Sequence, residues 1–408
     1  MFNRIRIWFE SEKDAVPLSI VFLTSPLSPL STLHKLKRLG LYSYLPEPSQ
    51  LLDHLPDSFS SKMRETLRVA ILSHKSGSRE VINQKLSEVM SRTETELEIA
   101  DYNISQLYQF ISVFTTLVPS IIASVLFFMN LKNGVITIIS AALFSVMAGF
   151  LGLTVFPGEL RLPSPPKRYL ALFLIVAPLY FIFNFELKLL LLISLASLIP
   201  SFLSWIFLSN KMKILREARE LVRKANTTTF NLFKALEIED PDYLLARRWF
   251  GIARAATTSL YLLALHGGGR LSDSLNLLES YCSRYLNALD RIRSKTRVMM
   301  FYSVIEALVI AGIYAILVYT LLFFANLPRY YSEAYTGAFY IPSTIELEFL
   351  KKSLDLVLTL NAFGLSIATS TSREGNPLYF TLYLPVIGFA MWIGYTMAFL
   401  YAPQLFGG

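Results

Sequence analysis

Apolar positions in this chain form long uninterrupted runs, separated by segments in which they recur at helical spacing. Residues 110–129 hold no charge, and about twenty apolar residues cross the roughly 30 Å hydrocarbon core of a bilayer as a helix. Similar runs lie at 135–155, 169–185, 189–208, 304–325, 353–369 and 378–402. Between them, Ile82, Leu86, Val89, Leu97, Ile104 and Leu107 share one helical face, as do Leu271, Leu275, Leu278 and Tyr281. No strand-like alternation of useful length occurs. The pattern predicts an all-α polytopic membrane protein with about seven transmembrane helices and two cytoplasmic helical-bundle lobes.

The predicted layout runs as follows. Residues 1–107 form an N-terminal cytoplasmic helical region, with a first lobe at about 60–107 in which Ser60 or Ser61 caps a helix. Four spans occupy 108–208, with a cytoplasmic loop at 157–168 marked by Arg161, Lys167 and Arg168. A basic lobe covers 209–299, a span 300–326, an external loop 327–350 and two final spans 351–402. Seven crossings from a cytoplasmic N-terminus put the C-terminus outside and every large soluble segment inside. The run at 353–369 contains Asp355, Asn361 and Gly364, which predicts a helix buried among others rather than facing lipid. Glu306 falls near the cytoplasmic end of its span, within reach of water or Arg297.

One arrangement occurs twice. A shift of about 191 residues places Ser76-Gly77-Ser78 on Gly267-Gly268-Gly269, Leu86 on Leu277, Glu88 on Glu279, Phe110 on Phe301 and Leu117 on Leu308. Each copy reads as a helix, a glycine-containing turn, an amphipathic helix and a span, so the two lobes are predicted to share one plan.

Composition sharpens the class. The 408 residues are 53% hydrophobic and 17% charged, where soluble domains carry about 25% charged residues. Residues 1–107 balance 13 Lys/Arg against 13 Asp/Glu, whereas 209–297 carry 16 against 9. Nearly all of the +8 net charge therefore sits in one soluble segment, as the positive-inside rule or a docking face for an acidic partner would require. A single cysteine, Cys282, excludes an intrachain disulfide. The N-terminus interrupts its apolar residues with Glu10, Glu12, Lys13 and Asp14, unlike a signal peptide.

Candidate chemistry is sparse. The run Gly267-Gly268-Gly269-Arg270 lacks the lysine and preceding strand of a phosphate loop and reads as a helix–helix turn, as does Gly77. The four histidines are scattered without ligand spacing, and no catalytic set or cofactor motif is visible. Aromatics in the basic segment are interleaved with Leu and Ala at helical spacing, which predicts core packing rather than direct nucleic-acid binding.

The hairpin at 262–281 (LLALHGGGRLSDSLNLLESY) and its fainter copy at 71–89 (ILSHKSGSREVINQKLSEV) resemble the hairpin of the type II secretion F family. That family comprises the membrane platform proteins of type IV pili, the archaellum and type II secretion, and the layout of spans looks most like its archaeal branch. The first copy departs in having one glycine, Gly77, and Ser274 replaces the family's small residue in the second. The resemblance implies a non-enzymatic cell-membrane protein without cofactors. Its expected partners are a cytoplasmic hexameric assembly ATPase, pilin subunits, membrane lipids and a second copy in a dimer. Candidates for facing the ATPase are Arg247, Arg248, Arg254, Arg270, Arg291 and Arg293. The other reading is a permease or DNA-translocation channel, for which Glu306, Asp355 and Asn361 offer the only polar path.

Overall fold

The structure, a computed structural model, describes residues 2–53, 55–111, 113, 118–182, 187–227, 232–266, 271–325 and 343–405. Among them every regular element is helical. In chain order these are α1 (Phe2–Thr24), α2 (Pro29–Arg38), α3 (Pro48–Asp53), α4 (Ser61–Ser76), α5 (Glu80–Ile111), α6 (Val118–Met129), α7 (Leu131–Gly149), α8 (Gly152–Val155), α9 (Val176–Ile182), α10 (Lys188–Ala196), α11 (Leu198–Asn226), α12 (Leu232–Ala235), α13 (Gly251–His266), α14 (Leu271–Lys295), α15 (Arg297–Ala325), α16 (Thr344–Glu374) and α17 (Phe380–Leu405).

Two compact units divide the chain: Met1–Glu96 with Ser209–Asp290, and Leu97–Leu208 with Arg291–Gly408. The divisions fall inside α5, α11 and α14. The two soluble segments, expected as two lobes, share the first unit.

In that unit α1 packs against both α4 and α13. Its residues Leu18, Ile20, Val21 and Phe22 are at most 1% exposed. The bent pair Glu10–Thr24 and Pro29–Arg38, 115° apart, has the composition of a broken span, but its apolar stretch is short and covered by protein, as in a core helix. Ser60 caps α4 by accepting from Met63 N, and Gly77 ends it with φ +69°, a conformation glycine adopts without a Cβ clash. Across this hairpin, Lys85 of α5 donates to Glu65 of α4 at 2.7 Å, which holds the lysine above its ordinary pKa. A second pair of helices, α13 and α14, follows the same order: α4 starts at 61 and α13 at 251, an offset of 190, and residues 267–270 between α13 and α14 lie outside the described residues.

Among the described residues, five helical stretches are long and apolar enough to cross a membrane: Leu131–Thr154, Lys188–Asn226, Leu271–Ala325, Ile345–Glu374 and Pro377–Gln404. They contain five of the seven predicted runs. The run at 110–129 includes 112 and 114–117, which lie outside the described residues. Its second partner starts at Leu131 rather than 135, because Asn130 caps α7 by accepting from Lys132 N and Asn133 N. The run at 169–185 is a 3₁₀ helix over Lys167–Ile175 followed by α9, with 183–186 outside the described residues. Pro178 explains the change of winding, since it cannot donate a backbone hydrogen bond and crowds the preceding turn.

The polar run at 353–369 became the most covered of all. In α16, 83% of the apolar window is buried, against 33–44% for the other four stretches. Ser343 and Glu346 form a capping box at its start, and Gly375 (φ +66°) ends it. α16 packs against α7, α10, α15 and α17. Close approach to α7 needs Gly149 and Gly364: a Cβ on Gly149 would lie 2.7 Å from Gly364 O, and one on Gly364 would strike Ser145. Gly364→Val is therefore expected to lower stability by about 3 kcal/mol. Gly312→Ala, whose new Cβ would meet only Ala398 at 3.7 Å, is expected to be neutral; thermal unfolding in detergent measures both.

Candidate functional site

Two sets of polar residues were singled out by sequence: the arginines and turn glycines of the first unit, and the polar positions within the apolar runs. The structure treats the arginines very differently. Arg248 lies between aromatic rings, 4.5 Å from the Tyr243 centroid and 4.3 Å from that of Trp249. It pairs with Glu217 at 2.5 Å and also meets the Tyr243 hydroxyl, which itself donates to Glu217. Trp249 is fully buried. Arg254 is half-buried and donates from Nε to Trp249 O. These two side chains hold the fold around α13. Arg247 is exposed, and no ion pair engages it among the described residues.

Arg291 and Arg293 belong to the second unit. Arg291 is exposed and likewise has no ion pair among the described residues, whereas Arg293 reaches Glu374 at 4.0 Å. Arg270 and Gly267–Gly269 lie outside the described residues. Arg79, which the 191-residue offset aligns with Arg270, donates to Leu23 O and Leu27 O and so caps the end of α1. Tyr281 on α14 donates to Asn83 on α5 at 3.3 Å, so the second helices of the two hairpins touch.

Asp355 on α16 receives the backbone N–H groups of Leu189 at 2.8 Å and Leu190 at 3.0 Å. It caps α10 from another helix, satisfying donors that would otherwise be orphaned at a helix start. Asn361 is 1% exposed, and its Oδ1 has no hydrogen-bond partner among the described residues. Glu306 is half-buried on α15.

Sequence reading missed the group at the other end of α16. Glu374 is fully buried; Tyr383 donates to its carboxylate, with the hydroxyl 2.8 and 2.9 Å from the two oxygens. Arg373 Nε and Arg293 Nη2 lie 3.7 and 4.0 Å from it. Around this point Leu162 N donates to Glu374 O, Asn376 donates to Leu162 O and Ser164 Oγ, and Tyr379 donates to Pro163 O. The loop at 157–168, the turn after α16 and the end of α14 thus meet at one end of the second unit. The Asp355 cap on α10 is 19 residues away along α16, about 28 Å at helical rise. The only sequence signal was the SREGNP turn at 372–377.

The fold defines an all-helical, multi-pass membrane protein, with five helical stretches of the length and apolarity to cross the bilayer. Comparison with protein-family models, curated proteins and solved structures finds no match. No group of three or more residues suited to a metal ion occurs among the described residues.

Two outcomes follow from the geometry. Arg248→Ala loses its stacking and its ion pair and is expected to cost about 1 kcal/mol, whereas Arg247→Ala leaves the thermal transition unchanged. Asp355→Ala orphans the start of α10 and is expected to cost about 2 kcal/mol, with Asp355→Asn restoring most of it; unfolding in detergent reads both.

Proposed function

We propose that this chain is the integral-membrane platform of a type IV pilus-like filament or a type II secretion-type machine. It couples a cytoplasmic hexameric assembly ATPase to the movement of pilin subunits out of the bilayer. One observation carries the reading: a helix beginning at 61 and another beginning at 251, each followed by a long helix, lie 190 residues apart, and they pack in one compact unit. In each copy the second helix leads toward an apolar segment. A protein that offers a motor two similar handles suits a transmission role.

The reading includes seven spans. The stretch 167–182 extends roughly 28 Å, counting nine residues at 3₁₀ rise and seven at α rise, close to hydrocarbon thickness. With the N-terminus inside, the loop at 157–168, the turn at 372–377 and the end of α14 all face the cytoplasm. Their clustering at one end of the second unit supports that alternation, and Arg161, Lys167, Arg168, Arg293 and Arg373 supply the positive charge expected there. Arg247 and Arg291, exposed and without an ion pair among the described residues, are the residues we assign to the motor. Asp355 serves as a helix cap and Asn361 is sealed inside, so neither opens a path that would favour a permease.

Copurification tests the reading. The wild-type chain, solubilised from membranes, should retain the phosphate-loop secretion ATPase of the same cell. Arg247→Glu with Arg291→Glu should lose at least tenfold of that retention at an unchanged membrane level. Undiminished retention would remove the docking face, and no retained ATPase at all would remove the platform.

A further inference from the structure

Around Glu374 the charges do not balance. Arg293 and Arg373 both approach one carboxylate, and the two oxygens of that carboxylate are already occupied by the Tyr383 hydroxyl. Neither guanidinium comes within hydrogen-bond distance of it. The Nε atoms of both arginines are buried and make no hydrogen bond among the described residues. The one hydrogen bond seen for Arg373 runs to Met300 Sδ, a weak acceptor, at 3.5 Å. Two guanidiniums beside one carboxylate leave an excess of one positive charge in this group, together with two Nε donors that make no hydrogen bond. Buried charge of this kind is costly unless an anion completes it.

Position indicates which anion. Arg293 sits in the last turn of α14, just before the apolar helix α15, and Arg373 in the last turn of α16. Both are therefore where apolar helices give way to polar chain. Arg297 follows on the sequence, and Lys167 and Arg168 occupy the exposed part of the loop at 157–168. The side chains of Arg293 and Arg373 are only 22% and 17% exposed, so the opening is narrow. Basic recesses between membrane helices at this depth bind phosphate-bearing lipid headgroups, and guanidinium matches phosphate in bidentate geometry.

We propose that Arg293 and Arg373 form a site for the phosphate of an anionic lipid headgroup, with Glu374 as the internal carboxylate that competes for the same donors. The inference does not depend on the platform reading. Lipid occupancy would set the grip between the end of α14 and the end of α16, because a headgroup phosphate can bridge both guanidiniums where the carboxylate bridges neither.

The test uses the full chain in zwitterionic detergent with added phosphatidylglycerol, phosphatidylcholine or inorganic phosphate. Phosphatidylglycerol should raise the unfolding temperature by about 3 °C or more, and native mass spectrometry should show a retained phosphatidylglycerol adduct. Both effects should fall at least fivefold in Arg293→Gln and Arg373→Gln and persist in Arg291→Gln. Glu374→Gln should increase adduct retention, because it frees both guanidiniums; this variant separates a lipid site from an ion pair that merely holds the fold. Equal stabilisation of the arginine variants, reduced retention in Glu374→Gln, or reproduction of the shift by inorganic phosphate would each overturn the proposal. A variant that does not fold is replaced by Arg293→Lys, in which retention should fall while the charge remains.

Discussion

A helix bearing Asp355, Asn361, Ser366, Thr369, Ser370 and Thr371 can lie at membrane depth only if protein covers it on every side. That requirement organises the second unit. α16 meets it in three ways. Thr359, Ser366, Thr369 and Thr371 turn their hydroxyls back onto carbonyls four residues earlier, which satisfies them within the helix. Asp355 spends its carboxylate on the start of α10. Small residues do the rest: Gly364 lets α7 close in, and Ser303 and Gly149 O meet Thr369 and Thr371. Association of apolar helices in lipid draws on such packing and hydrogen bonding, because burial from water no longer drives it. The less covered stretches can keep Leu, Ile and Phe outward, as Ile136, Ile199, Phe202 and Leu400 do.

The first unit solves a different problem, that of joining two distant parts of the chain. α1 does so by packing on α4 and α13, with its polar atoms tied to both sides. Ser60 N donates to Ser11 Oγ, Ser19 Oγ lies 3.1 Å from Thr66 Oγ1, and Thr24 donates to Ser259. Arg248 and Arg254 serve the same packing, through contacts with the aromatic and backbone groups around Trp249.

Much of this was legible in the chain. Hydrophobic period gave the helical class; of the seven apolar runs expected as spans, five fall on helical stretches of spanning length, and polar residues in the 353–369 run foretold its burial. The offset between hairpins was readable from a single glycine and a few leucines, and the starts of α4 and α13 agree with it to within one residue. Other features left no local trace. Glu374 looks like a solvated turn residue until Tyr383 and two arginines from separate elements surround it. The roles of Arg247 and Arg248 are indistinguishable in sequence, because the partner that separates them, Glu217, lies on another helix. The 3₁₀ winding at 167–175 leaves no mark in the apolar pattern, which fits a single span.

The account stands or falls on whether both hairpins occupy the same face of the membrane. Cysteine accessibility measures this directly, and the one native thiol, Cys282, is buried. Single cysteines at Ser78, Arg168 and Lys224 should react with an impermeant reagent only after the cytoplasmic face is exposed, and cysteines at Lys132 and Glu348 should react on intact cells. Labelling of Ser78→Cys and Lys224→Cys from opposite faces would contradict it.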